Sequence, residues 1–348
     1  MKIGKIVSVT GGTGFVGAAL CRKLLRSGYQ PRIITRSHPQ ERAEGMQYAV
    51  TDYDNIESLE NAFSESEYII HVAAALFGRS KEEFEKANVE NTKNIVAALS
   101  SMDKKPKKVI YISSLAAGGP TQNPEKPRTE EIKENPVSCY GETKLRGEEK
   151  IKKLSPEIKY VILRPPIVYG KRDKGFHKIA EMVKRGVMVN AGGNAFFSFI
   201  YLDDLVEVIQ TALVEKNLLG NTYYVCENSI YRWKTFIELL AQEMGVKMPL
   251  MLNMPPAMLH IAGHLSELIT GILGKAAVFN RDKAREASAG HWIAYSGKWE
   301  RDTNWKGWTP LKRALKKHLK KIQIDLNPSR KINSRSFTNI RRNIVTGI

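Results

Sequence analysis

Cysteine is scarce in this chain of 348 residues: Cys21, Cys139 and Cys226 are odd in number and far apart, which excludes a disulfide framework and a Cys-x-x-Cys metal site. No run of 18 uncharged apolar residues occurs, so no transmembrane helix is expected. Residues 1–10 lead into a glycine turn, without the apolar stretch of a signal peptide, and the expectation is a soluble, cytoplasmic chain. Internal repeats and low-complexity tracts are lacking too. What is present is an ordinary globular mix of 42% apolar and 26% charged residues, enough to bury a sizeable core. The length allows two domains, or one large core with an annex.

The net charge of +18 is unevenly spread. From 311 to 348, eleven Lys or Arg face Asp325 alone, so ten of the eighteen net charges lie there and +8 belongs to the other 310 residues. That distribution gives no reason to expect a specific nucleic-acid partner. Residues 326–348 are polar, basic and poor in periodicity, and are expected to form a disordered tail able to touch anionic surfaces.

The first half alternates short β-branched runs with longer amphipathic stretches, the pattern of βαβ units feeding a parallel sheet. Strands are expected at 5–10, 32–35, 47–50, 68–72, 108–112 and 159–163, and helices at 15–27, 56–63, 84–101 and 140–154. The fold class is therefore α/β, a Rossmann-like doubly wound parallel sheet with ligands at the carboxyl ends of its strands. After Gly170 helical patterns dominate, and a smaller, mostly helical C-terminal substrate lobe is expected. The division is residues 1–170 for dinucleotide binding, with 195–225 returning to that unit, and 171–194 with 226–325 for the lobe.

Directly after the first strand comes Thr10-Gly11-Gly12-Thr13-Gly14-Phe15-Val16-Gly17, followed by a helical pattern. Glycines at 11, 14 and 17 permit a tight turn, let backbone amides approach a pyrophosphate and let the helix pack on the sheet. With a strand before it and a helix after it, this turn reads as a dinucleotide site. At the end of the second strand, where an acid would accept ribose hydroxyls, the sequence is Ile33-Ile34-Thr35-Arg36. Arg36, with Ser37, suits a 2′-phosphate instead, which favours NADP over NAD.

Tyr140 and Lys144 open the 140–154 helix at i and i+4, on one face, and the fifth strand ends in Ser113-Ser114. Hydride transfer to a carbonyl needs such a set. A phenol of ordinary pKa near 10 is a poor acid or base at neutral pH, but a neighbouring ammonium and a nicotinamide's positive charge lower it. Ser114 would hold the substrate oxygen.

Taken with Asp52, His71-Val72-Ala73-Ala74, Asn88-Val89-Glu90-Asn91-Thr92, the 164–170 Arg-Pro-Pro-Ile-Val-Tyr-Gly run and Tyr201-Leu202-Asp203-Asp204, these motifs make the chain resemble an extended short-chain dehydrogenase/reductase of the NAD-dependent epimerase/dehydratase superfamily, over about residues 2–319. The resemblance implies that Asp52 accepts from the adenine amino group. It implies that Ala73 lies beside the riboses, that Pro165 to Ile167 meet the nicotinamide and that Lys144 also holds its ribose. Asn88 matches a position that supports a water relay, although Asn91 replaces the usual glycine of that motif.

The superfamily contains carbonyl reductases and sugar-nucleotide enzymes. Where the latter carry Arg-Asp-Phe, this chain has Phe197-Ser198-Phe199, and an apolar side chain cannot neutralise a diphosphate. Together with Phe196 and a methionine-rich stretch at 248–258, this points to a hydrophobic ligand and to the dihydroflavonol-reductase-like and 3β-hydroxysteroid-dehydrogenase-like branches. The expected function is an NAD(P)-dependent oxidoreductase of a carbonyl or secondary alcohol, with Tyr140 as acid and base. The alternatives are a sugar-nucleotide epimerase or dehydratase and a non-catalytic NADP-binding module. His260, His264 and Glu267 share a helix face, but no metal is expected there, and the amphipathic run at 258–273 reads as lobe packing. A homodimer is compatible with this reading.

Overall fold

The computed structural model describes residues 4–76, 78, 80–190, 193–255, 257–259, 261, 263–264, 266 and 280–326. His260, Glu267, most of 258–273 and the basic tail beyond 326 lie outside the described residues.

The chain begins with β1 (Ile6–Thr10), α1 (Phe15–Arg26), β2 (Gln30–Thr35), β3 (Gln47–Val50), α2 (Ile56–Phe63) and β4 (Tyr68–His71). The single helix expected at 84–101 is three pieces: α3 (Lys81–Glu85), a π-helical turn (Lys86–Glu90) and α4 (Asn91–Ser101). The wider turn coincides with Asn88, whose side chain is drawn inward to other segments. Then follow β5 (Lys108–Ile112), α5 (Leu115–Gly118), α6 (Cys139–Ile151) and β6 (Lys159–Arg164).

Beyond Gly170 the expected helices are interleaved with short strands. In order from Ile167, just before that glycine, the elements are β7 (Ile167–Tyr169), α7 (Lys174–Lys184), β8 (Val187–Asn190), β9 (Phe196–Phe197), β10 (Phe199–Tyr201), α8 (Leu202–Val214), β11 (Asn221–Tyr224), β12 (Tyr231–Arg232), α9 (Trp233–Met244), β13 (Leu250–Asn253), α10 (Arg281–Ser288), α11 (Gly297–Thr303) and α12 (Leu311–Leu326). Strands β7 and β10, β9 and β12, and β8 and β13 form separate pairs. Runs of two to four residues are too short for a periodic signal, so the sequence hides them.

Seven strands make the main sheet, in the order β11-β6-β5-β4-β1-β2-β3, every pair parallel. Six strands are expected from the sequence. The seventh, Asn-Thr-Tyr-Tyr, lies at the edge and opens with polar, partly exposed residues, so it lacks the apolar run of a central strand. In β5, by contrast, all five residues are buried. Alternate strand residues feed two cores. Val7, Val9, Ile110 and Leu163 pack with Leu20 and Leu24 of α1 and Leu205 and Ile209 of α8. Ile69, Val109 and Ile162 pack with Leu59 of α2, Ile95 and Leu99 of α4 and Ile151 of α6. A third core joins Phe176, Phe199 and Phe236, the last two stacked 4.9 Å apart. Order reverses between β1 and β4, and the crevice at their carboxyl ends is where such sheets take ligands. Among the described residues no helix is long and apolar enough to cross a membrane.

Candidate active site

Gly11 follows β1 with φ +69°, a conformation that favours glycine, and a Cβ there would lie 2.8 Å from the Ala73 amide nitrogen after β4. A Cβ on Gly17 would come within 2.2 Å of the Gly11 carbonyl oxygen. Side chains at either position would fill the cradle between turn and sheet. Gly14 caps α1 and brings no side chain to accept from the first-turn amides of that helix. Those amides and the dipole's positive end lie at the wall of a cavity of about 870 Å³. The cradle thus fits a dinucleotide's pyrophosphate.

Of the expected cofactor residues, Gly11, Thr13, Gly14, Phe15, Val16, Gly17, Arg36, Ala73, Lys144, Pro165 and Ile167 all line this one cavity. Asp52 does not. Its Oδ1 accepts from the Asp54 amide at 2.9 Å, turning the carboxylate into its own loop, as aspartates after strands often do.

Ser114, Tyr140 and Lys144 line the cavity as well. The neighbouring hydroxyls differ in employment: Ser113 donates to Glu148 Oε1 at 2.5 Å, while Ser114 shares a hydrogen bond with Tyr140. Burial pushes the Tyr140 phenol up to about 12, the Ser114 hydrogen bond opposes this, and the Glu286 charge adds to it. Lys144, expected to lower the phenol together with a nicotinamide's charge, is not among the groups that do so in the chain alone. Burial pushes Lys144 down to about 7, and its Nζ donates to the Ile112 carbonyl at 2.7 Å and lies 4.2 Å from the Tyr111 ring centroid. A partly discharged ammonium aimed at the strand end does little for the phenol.

Asn88 is outside the cavity lining and makes three side-chain hydrogen bonds. Its Oδ1 accepts from the Ala75 amide at 2.8 Å, and its Nδ2 donates to the Ala75 carbonyl and to Thr143 Oγ1 at 3.0 Å. It ties the loop after β4 to α6, as a positioning residue. The Asn88 carbonyl accepts from the Thr92 hydroxyl, leaving Thr92 to accept from His71 Nε2–H at 3.0 Å. His71 Nδ1 then accepts from Thr10, which itself accepts from the Ala73 amide. Burial, helped by the Lys144 charge, pushes His71 down to about 3, so this chain of bonds holds a neutral imidazole.

Sequence reasoning missed α10 altogether. Asp282 accepts from the Cys139 and Tyr140 amides at 2.8 and 3.3 Å, capping α6 from 143 and 142 residues away. Glu286 accepts from Ser138 Oγ at 2.7 Å, and Lys283 lies 5.6 Å from the centroid of the Tyr140 ring. Lys283, Glu286 and Trp292 close the cavity with Val189, Phe197 and Trp233. The one local signal was Asn280, a helix cap whose Oδ1 accepts from the Lys283 amide. Phe197 meets the expectation for an apolar lining, but Phe196 and the methionines of 248–258 are not on it. Met251 packs on the third core instead. Among the described residues no group of His, Cys, Asp or Glu could hold a metal ion.

A doubly wound sheet, a glycine cradle at its switch point and a serine, tyrosine and lysine on one wall define an enzyme of nicotinamide chemistry of the short-chain dehydrogenase/reductase type. The chain belongs to the NAD dependent epimerase/dehydratase family, whose family model matches residues 7–226. It is 26% identical over 299 residues to the ceramide reductase of Caulobacter vibrioides, covering 84% of this chain and 86% of that protein. It is 25% identical over 317 residues to a 4-hydroxy-2-methyl-3-oxo-4-farnesyl-3,4-dihydroquinoline-1-oxide ketoreductase of Stigmatella aurantiaca, covering 83% and 91%. In fold it resembles the UDP-glucose 4-epimerase of Thermotoga maritima, solved with UDP-glucose, with TM-score 0.75, 20% identity and coverage of 92% and 100%.

Proposed function

We propose that this chain is an NAD(P)-dependent reductase or dehydrogenase acting between a carbonyl and a secondary alcohol of a hydrophobic substrate. One observation carries the reading. The cavity is lined by the glycine cradle, by Ser114 and Tyr140, and by Val189, Phe197, Trp233 and Trp292, with Lys283 and Glu286 its charged members on α10 and no arginine at position 197 to meet a diphosphate. Aromatic and aliphatic walls with a few convergent polar groups suit a largely apolar ligand. Two relatives bear the names of reductases of lipid-like molecules, which agrees with that chemistry.

The amides at the start of α1 bind the cofactor's pyrophosphate, and Arg36, exposed on the cavity rim, pairs with a 2′-phosphate, so NADP is preferred. When bound, the cofactor supplies or accepts the hydride. Ser114 and Tyr140 hydrogen-bond the carbonyl oxygen, and Tyr140 gives its proton to that oxygen as negative charge builds on it, so the stabilisation is greatest in the transition state. Lys144 holds the nicotinamide ribose and, once a charged ring lies beside it, helps return a proton to the tyrosine. Asn88 and Asp282 both hold the start of α6, which carries Tyr140, in place.

The test is a substrate panel with the purified protein. NADPH oxidation that depends on long-chain or polycyclic ketones, with UDP-glucose left unchanged, is the expected result. Conversion of UDP-glucose to its 4-epimer with no ketone turned over would make the chain a sugar-nucleotide enzyme.

A further inference from the structure

The paired strands β8 and β13 carry an apolar face that the protein leaves in solvent. Their register sets Leu250 opposite Val187 and Leu252 opposite Val189, and in a parallel pair these four side chains share one face. Leu250 is 64% exposed, Leu252 47% and Val187 44%, whereas Met188 and Met251 on the other face pack into the third core. The fourth member, Val189, lines the cavity. The exposed face therefore meets the candidate site at Val189.

Its border is basic. Leu250 donates its amide to the Gly186 carbonyl at 2.8 Å, which sets the Lys184-Arg185-Gly186 turn beside the face. Lys247 precedes β13 by three residues. All three basic side chains are exposed, and none has an ion-pair partner among the described residues. The nearest acids along the chain are Glu181 and Glu243. Four apolar side chains fall short of the roughly 800 Å² per partner that a stable protein interface buries. An apolar tip ringed by cations is what an anionic bilayer surface accepts, the leucines entering the acyl boundary while Lys184, Arg185 and Lys247 meet headgroup phosphates.

We propose that the β8–β13 face docks this protein on anionic membrane surfaces and that a hydrophobic substrate passes from the bilayer over Leu252 and Val189 into the cavity. The second half rests on the hydrophobic-substrate reading above. The test therefore reads membrane binding alone, so the two can fail separately.

The full chain is floated with vesicles of phosphatidylcholine, with and without phosphatidylglycerol. The parent should bind the anionic vesicles. Leu250→Asp with Leu252→Asp should weaken that binding by about 10²-fold, the loss expected when two leucines no longer insert. The milder Leu250→Ser with Leu252→Ser should weaken it in the same direction while keeping the parental melting temperature. Lys184→Glu with Arg185→Glu and Lys247→Glu should weaken the preference for anionic lipid, and an unchanged preference would overturn the proposal. If the leucine variants float as the parent does, the attraction belongs to the basic 311–348 stretch and the proposal is overturned. A dimer in light scattering that the serine variant converts to monomer would overturn it too, giving the face to a second copy of this chain.

Discussion

Arg164 at the end of β6 and Glu148 on α6 form a two-bond ion pair, Nε to Oε1 at 2.9 Å and Nη2 to Oε2 at 2.6 Å, with both side chains buried. Glu148 also accepts from Ser113, so this one carboxylate fastens α6 both to β6 and to the end of β5, next to Ser114. Arg164 further donates to Glu134 and to the Tyr224 hydroxyl.

Removing one partner of such a pair leaves the other buried and under-compensated. Glu148→Gln should destabilise the fold by about 3 kcal/mol, the lower end for a broken buried pair because Glu134 still faces the guanidinium. Urea denaturation at matched m-values measures it. A change under about 0.5 kcal/mol, usual for surface sites, would mean that the pair does not fasten the helix.

His71 makes stability fall in mild acid. Its folded value is about 3 against an ordinary 6.5, so between these pH values the unfolded chain binds a proton that the folded chain refuses. Stability from this site is full above about pH 6.5 and is lost as pH falls toward 3, by at most about 1.4 kcal/mol per pH unit. His71→Gln should flatten the slope of unfolding free energy between about pH 6.5 and about pH 5. An unchanged slope would show that the imidazole charges without penalty.

Gly17 tests the cradle. Alanine would set a Cβ against the Gly11 carbonyl, backbone that has no rotamer to yield. Gly17→Ala should lower stability by about 1 to 3 kcal/mol, as overpacking does, and weaken NADPH binding in calorimetry. Parental affinity would mean that the turn does not hold the pyrophosphate.

Arg36 carries the cofactor preference. Calorimetry should give tighter binding of NADPH than of NADH, and Arg36→Ala should remove about 1.5 to 3 kcal/mol of that difference, the range for a hydrogen bond to a charged group. Equal affinities in the parent would contradict the assignment.

Much of this site could be read in the sequence, for a physical reason. The glycine turn, the Ser113-Ser114 strand end and the Tyr140–Lys144 spacing are local, and each is tied to the boundary of one element. The contacts that govern their electrostatics are not local. Asp282 reaches the start of α6, and Glu286 the Tyr140 phenol, across about 140 residues, leaving no periodic trace. Burial decides the rest. It turns Lys144 toward the Ile112 carbonyl, which spacing along a helix cannot reveal. Of the methionines at 248–258, Met251 lies off the cavity because a strand pairing, invisible in four residues, directs it into the third core, while Met248 and Met258 are exposed.

The central claim is that Tyr140 protonates the substrate oxygen. Tyr140→Phe deletes one hydroxyl from a buried ring and leaves the glycine cradle, Arg36 and Lys144 in place. On a ketone that the parent reduces, single-turnover measurement with NADPH saturating should give a hydride-transfer rate lower by about 10² to 10⁴, with cofactor affinity unchanged. A rate within about twofold of the parent's, where loss of a positioned acid costs at least 10², would contradict the account and move the proton donor elsewhere.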